Sequence, residues 1–335
     1  LHPEVGREMT GRRTAICALA LAGLLLILSW HISVGAKAIP LTTVVQALLF
    51  YDDTIFDHVV IRDLRLPRAL MAVAVGAGLS VAGALMQGVT HNPLADPGLL
   101  GLLAGASLAV VLGTALGIGS AAAIPPLAAF GALVSGAVVW SIAMAISGGA
   151  TPMTLVLSGA AVTAFLTALT AILLLIHQTV FEALRVWLTG SLAGRPDQVG
   201  LWATGWLLAG LVTALGVARK ITTLAMGEDT ATGLGVDVAK LQMAVLFSVV
   251  ALTASAVALA GPMGFVGLVV PHMVRLIIGY DYRLIVPWAA VVGATYMLLA
   301  DIAARMLLAP IEVSTGLITA LLGAPIFVWL VRTRL

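Results

Sequence analysis

The chain has 335 residues, of which 61% are hydrophobic and only 10% charged, with a mean hydropathy of +1.12 and a net charge of +2. Soluble domains carry about 25% charged residues, and a water-exposed fold could not hide this much apolar surface, whereas a bilayer can. The small net charge gives no support to a nucleic-acid partner, and the lone Cys17 excludes an internal disulfide framework and a cysteine metal site.

Windows of about twenty residues divide the chain into ten apolar segments, so the predicted class is an all-α polytopic membrane protein. The polar start Leu1–Arg13 runs directly into the first, Thr14–Val34, and reads as a tail leading to an uncleaved anchor. Because the first residue is Leu1, the numbering is expected to begin inside the natural chain. A polar excursion follows, with an amphipathic helix over Pro40–Phe50. The second span is Pro67–Val89, its proline tolerable in the first turn. The tight connection Thr90–Pro97 leads to the third, Gly98–Leu116, capped by Asp96-Pro97. Ile124–Ile146 is the fourth, Ser147–Met153 a turn, and Thr154–Ile176 the fifth. His177–Gly200 is too charged and short to cross and is expected to lie in the interface, with Trp187, Trp202 and Trp206 at headgroup level. Leu201–Val217 and Val238–Leu259 are the sixth and seventh spans. Phe265–Ile278, flanked by glycines and holding Pro271-His272, is a short eighth helix that must be buried by protein. Leu284–Leu308 and Thr315–Val331 complete the set. Domain organisation is thus a tail over residues 1–13 and one membrane domain over 14–335.

One stretch stands apart. Residues 219–240, between the sixth and seventh spans, hold two of the three lysines and three carboxylates. Gly227–Gly235 predicts a short surface helix, with Glu228 and Asp229 in its first turn and Gly233 or Gly235 closing it. Apolar Leu224, Met226, Leu234 and Val236 punctuate it, so one face should pack against something: a knob that a partner pushes on.

Ten spans put both termini on one side. Placing them in the cytoplasm puts Arg7, Arg12, Arg13, Arg219, Lys220, Lys240, Arg275, Arg283, Arg332 and Arg334 inside. Lys37, Arg62, Arg65, Arg68, Arg185, Arg195 and Arg305 then lie outside, a modest positive-inside bias. No phosphate-binding loop, zinc-protease motif, metal-spaced His/Cys set or nucleophile elbow occurs, so any ATP must be bound by another chain. His272 reads either as a hydrogen-bonded helix histidine or as a site residue. Asp301 and Arg305, one turn apart, either neutralise each other or present Arg305 to something acidic outside. Arg65 and Arg68 stand nearby, as interfacial anchors or as part of the same patch.

These residues carry a resemblance. Arg65-Leu-Pro-Arg68, Gly76-Ala-Gly-Leu-Ser80, Gly83-Ala-Leu-Met-Gln87 and Asn92-Pro-Leu-Ala-Asp-Pro-Gly98 occur in order. They are followed by Trp187 with Gly190-Ser-Leu192, Gly227-Glu-Asp229 with Gly233-Leu-Gly-Val236, and Gly261-Pro-Met-Gly-Phe-Val-Gly-Leu-Val-Val-Pro-His272. Ala300-Asp-Ile-Ala-Ala-Arg305 and Leu322-Gly-Ala-Pro-Ile-Phe327 close the series. The chain resembles the permease subunits of type II ABC importers for ferric siderophores, haem and cobalamin. That resemblance implies ten helices, a homodimer with a central pathway in the bacterial cytoplasmic membrane, two ATPase subunits that bind ATP and magnesium, and an outer substrate-binding protein. It implies no cofactor or metal on this chain and no enzymatic activity of its own.

Carried over by residue, the coupling segment falls on Gly227, Glu228, Asp229, Thr232, Gly233, Leu234, Gly235 and Val236. The inner gate falls on Asn92 and Leu94 with Thr151, Pro152 and Met153, the last three departing from the Ser/Thr-rich form of some relatives. Docking to the binding protein falls on Arg65, Arg68 and Arg305, expected as exposed cations. A pathway between two copies is expected along the fifth and tenth spans, with Ser158, Thr163, Thr167 and Thr319 facing it. An iron chelate is the expected cargo, with haem or cobalamin as alternatives. An ion-coupled secondary transporter is the competing class; it would need a midplane ion or proton site, for which Asp301 is the one acidic candidate.

Overall fold

The computed structural model describes residues 3–35, 37–146, 151–193, 200–309 and 311–334, and among these residues the chain is helical without a strand. In chain order, α1 (Pro3–Ser33) is followed by two short helices, α2 (Leu41–Leu49) and α3 (Phe56–Val59). A π-turn over Val60–Arg65 joins α3 to α4 (Leu66–Val89), making one rod over Phe56–Val89. A 3₁₀ turn, Pro97–Leu100, precedes α5 (Leu102–Ala115); α6 (Ile124–Ala145), α7 (Pro152–Ile176), α8 (Gln178–Leu188) and α9 (Gly200–Leu224) follow. The chain ends with α10 (Glu228–Gly233), α11 (Val238–Ala260), α12 (Val266–Ile278), α13 (Tyr282–Met306) and α14 (Thr315–Arg334). Six helices are long and apolar enough to cross a bilayer, and Ala18–Ser33, Leu102–Ala115, Val266–Ile278 and Thr315–Trp329 form shorter apolar helices at the other four expected spans. Residues 147–150 of the expected turn, residues 194–199 of the segment expected at the interface, and the Trp202 side chain lie outside the described residues.

Several boundaries differ from expectation: α1 starts at Pro3 rather than Thr14, the second span starts at Phe56 rather than Pro67, and two others have identifiable reasons. α9 continues to Leu224 and takes Arg219 and Lys220 into its last turns, because long basic side chains can reach water from a helix end without breaking it. The third span starts late because Gly101 adopts φ +73° and breaks the helix; Ser135 Oγ donates to its carbonyl at 2.8 Å.

α4 is the centre of the bundle, packed against α9, α11, α12 and α13, with 83% of its most apolar window buried. For α7 the figure is 17%, so its apolar Leu157, Phe165, Ile172 and Leu175 face outside this chain. Burial of α4 depends on absent side chains. A Cβ on Gly83 would lie 1.8 Å from the Gly267 carbonyl oxygen of α12, and one on Gly76 would lie 2.2 Å from that of Gly293 in α13. With lipid offering no hydrophobic drive between helices, such close backbone packing supplies the attraction.

Because backbone cannot yield as a side-chain tip can, Gly83→Ala should separate α4 from α12 and cost at least about 1–3 kcal/mol. Gly216→Ala, which meets nothing within 4 Å, should be neutral or slightly stabilising. Thermal unfolding of the detergent-solubilised chain checks both, and equal melting temperatures for the two variants would contradict the packing argument.

Candidate functional sites at the two ends of the bundle

At one end, α1 stops at Ser33 and leaves its last carbonyls without helical partners. Two arginines take them. Arg65 Nη1 donates to Ile32 O at 2.8 Å and Ser33 O at 2.7 Å, and its Nη2 donates to Lys37 O. Arg305 Nη1 donates to Val34 O at 2.8 Å and its Nη2 to His31 O at 3.1 Å. Cations are favoured at this negative end of the helix dipole. Beneath them lies Asp301, with no solvent exposure. Its carboxylate meets His31 Nε2 at 2.8 Å, Arg68 Nε and Nη2 at 3.0 Å each, Thr315 Oγ1 at 2.8 Å and Arg305 Nε at 3.3 Å. One carboxylate therefore ties α1, α4, α13 and the start of α14 together. Since His31 Nε2 faces an oxyanion, it carries the ring proton, and Nδ1 is buried without a hydrogen-bond partner. Arg68 Nη1 reaches on to Glu312 at 2.8 Å.

The expectation of three exposed cations is corrected by this geometry. Arg65 and Arg305 are buried, Arg68 is largely covered, and all three are satisfied within the chain. The physical reason is desolvation: a guanidinium at this depth is tolerated only with acceptors around it. Both readings of the Asp301–Arg305 pair were too small, because the pair belongs to a five-residue cluster. Arg68 faces both Asp301 and Glu312, and Arg305 faces Asp301, whereas Arg65 meets backbone carbonyls; Glu312 is the exposed carboxylate of the group.

At the opposite end, α10 forms a compact knob between α9 and α11. Gly227, with φ +112°, precedes it, and Glu228 and Asp229 occupy its first turn, where the dipole favours them. Gly235, not Gly233, takes the left-handed conformation, at φ +81°. Val236 N donates to Ala231 O and Gly235 N to Thr232 O, each at 2.9 Å, which is the paired bonding of a Schellman cap. Ala231 and Leu224 are buried beneath, while Met226 and Leu234 are exposed at 69% and 67%. Asp237 caps α11 by accepting from Lys240 N at 3.0 Å, and this bond, helped by the Lys240 ammonium, holds its carboxyl below the usual range. Asp281, before α13, is likewise lowered, chiefly by hydrogen bonds from the Arg283 side chain.

The connection after α4 lies at the same end. His91 takes φ +50°, and its Nε2 pairs with Leu224 O at 3.1 Å, joining this loop to the last turn of α9. Asn92 Oδ1 accepts from Leu94 N at 2.9 Å, so the two gate candidates are set by one local turn and are half-buried. Asp96 Oδ1 accepts from Gly98 N at 2.7 Å; burial, only partly offset by that bond, pushes its carboxyl up to about 6. Thr151 caps α7 through a reciprocal box with Thr154, and Met153 is exposed; the Pro152 side chain lies outside the described residues.

The pathway expectation divides. Thr167 is exposed; Thr163 is partly so, but its Oγ1 is buried, and Ser158 and Thr319 are buried inside the chain, Thr319 Oγ1 donating to Gly316 O at 2.9 Å. Ser158 and Thr319 are corrected to packing positions: Thr319 is drawn to a backbone carbonyl, and Ser158, small and without a hydrogen-bond partner, lies where α7 packs closely on the chain before α5. His31 and Glu312 were missed. A lone histidine in an apolar run was the available signal for His31, while Glu312, in a short connection, gave none. Among the described residues no group of three or more His, Cys, Asp or Glu could hold a metal.

A many-helix membrane bundle with a polar cluster at one end and a capped knob at the other defines a membrane-transport class. The FecCD transport family matches residues 21–333, and the chain belongs to it. It is 40% identical over 323 residues to the iron(3+)-hydroxamate import system permease protein FhuB of Bacillus subtilis, covering 95% of this chain and 81% of that protein. To the ferric enterobactin transport system permease protein FepD of Escherichia coli it is 39% identical over 332 residues, 97% and 98% of the two chains. The fold is that of a solved metal-chelate type ABC transporter in an inward-facing conformation, with a TM-score of 0.82 at 28% identity, covering 96% of this chain and 99% of that one.

Asp301→Asn keeps the volume but removes the charge that compensates Arg68 and Arg305. It should cost about 3–5 kcal/mol, as breaking one side of a buried pair does. Thermal unfolding at neutral pH checks this; a loss under about 1 kcal/mol would show that the cluster is held by its backbone acceptors alone.

Proposed function

We propose that this chain is the permease subunit of an ATP-driven, binding-protein-dependent importer that carries a ferric siderophore or related iron chelate inward. The observation that carries this reading is the family match over residues 21–333 together with the cargo named for its relatives: ferric hydroxamate, enterobactin and dicitrate. The permease works as a homodimer in the bacterial cytoplasmic membrane, with both termini and α10 on the cytoplasmic side. Two separate ATPase subunits bind ATP and magnesium, and this chain supplies no catalysis.

In this reading α10 seats in a cleft of the ATPase. Its exposed Met226 and Leu234 offer apolar contact, and its capped, Ala231-anchored backbone moves as one body with α9 and α11. Asn92, Leu94, Thr151, Pro152 and Met153 form the gate at that end. The exposed apolar face of α7 meets the second copy, and Thr167 on that face lines the passage between them. At the outer end, Arg65, Arg68 and Arg305 set the docking surface, and Arg68, paired with the exposed Glu312, is the cation for which an acidic group of the binding protein competes. A proton-coupled carrier is disfavoured because Asp301 is engaged by three cationic or donor side chains and a hydroxyl.

Leu234→Asp should leave membrane insertion and binding-protein docking intact. ATPase stimulation by loaded binding protein and chelate uptake should both fall at least about ten-fold, since both need the α10 contact. Normal uptake with the ATPase still bound would reduce α10 to a connecting loop.

A further inference from the structure

Beside α10 lies a cavity of about 520 Å³ that neither the coupling knob nor the gate accounts for. Its walls come from four places: the end of α4 with the following loop (Gln87, His91, Pro93), the elbow before α10 (Ala225), α12 (His272, Arg275), and the connection into α13 with Tyr280 and Tyr282. The chemistry of these walls is one-sided. Arg275 donates to neutral Gln87 Oε1, and His272 Nε2 is buried with no hydrogen-bond partner. No carboxylate is among the lining residues. Arg275 is half-buried and its described acceptors, Gln87 and the Tyr282 hydroxyl, are neutral, so the cavity is positive and holds no anion against the guanidinium.

We propose that this cavity receives an acidic side chain of the ATPase subunit, as a second contact beside α10. The inference rests on the importer reading, which puts the ATPase on α10; Ala225 stands three residues before Glu228, so a protein seated on the knob reaches the cavity mouth. A carboxylate there would accept from Arg275 and His272, the charge-assisted bonds that the cavity lacks. It would also touch the elbow and the gate loop together, because His91 and Pro93 flank Asn92, and His91 is already bonded to Leu224 O at the root of the elbow. Closure of the ATPase would then move the gate loop directly, in parallel with the push on α10.

The test uses the full permease in nanodiscs, of phosphatidylcholine alone or mixed with phosphatidylglycerol, titrated with the fluorescent ATPase subunit of the same import system. Wild type should bind in both lipids, more weakly as salt rises from about 50 to about 500 mM, over which screening of such a pair becomes strong. Arg275→Glu should weaken binding at least ten-fold in both lipids and reduce the salt dependence. Arg275→Lys and His272→Gln, which keep a donor, should lose less, and an acidic-to-lysine substitution on the ATPase should restore Arg275→Glu. Equal binding of Arg275→Glu and wild type would overturn the contact while leaving the importer reading intact. A loss confined to phosphatidylglycerol discs would assign the cavity to a lipid phosphate instead. A loss that no ATPase substitution rescues, with Arg275→Lys equally impaired, would make Arg275 structural and also overturn it. Failure of wild type to bind the ATPase at all would overturn the importer reading with it.

Discussion

The structure turns on a single buried carboxylate. Asp301 draws His31, Arg68, Arg305 and Thr315 into one cluster, and through them it fixes where α1 ends, how α4 begins and how α14 enters the bundle. Without it, Arg305 would be left with backbone carbonyls and Arg68 with the exposed Glu312, a costly arrangement for guanidiniums in a low-dielectric region. With it, Arg305 is held where it joins Arg65 in capping α1, whose terminal carbonyls would otherwise go unpaired. Charge, helix termination and packing are therefore one problem with one solution.

The rest of the bundle is rigid for a different reason. α4 meets α12 and α13 through backbone at Gly83 and Gly76, leaving little slack along its length. Motion delivered to α9 and α11 by α10 can thus travel through packed helices rather than dissipate in loops. The loop after α4 is the softer element. It is held by His91 to the α9 elbow and by the Asn92 turn, so it is placed to follow that elbow.

Much of this was legible in the sequence. Apolar runs of bilayer length gave the ten segments, because lipid demands them, and Gly227–Gly235 announced a short helix through its acidic first turn and closing glycines. The arginines misled. Sequence shows that Arg65, Arg68 and Arg305 sit at span ends, but not that α1 stops between them with open carbonyls, nor that Glu312 returns from a later connection. That information is carried by contacts over 200 residues apart, as between Arg68 and Asp301. Ser158 and Thr319 misled in the opposite direction. Helical period placed Ser158 on one face with Thr163 and Thr167 without saying whether that face met a channel or a neighbouring helix, and the burial of Ser158, like that of Thr319 on α14, answers that.

The central claim is that this chain passes an iron chelate under the control of ATP hydrolysed on another subunit. Proteoliposomes containing the permease and its ATPase, supplied with binding protein and a radiolabelled ferric hydroxamate, test it most directly. The account predicts accumulation that requires magnesium-ATP and the binding protein and that persists when a protonophore collapses the proton gradient. Accumulation driven by a proton gradient without ATP would contradict it.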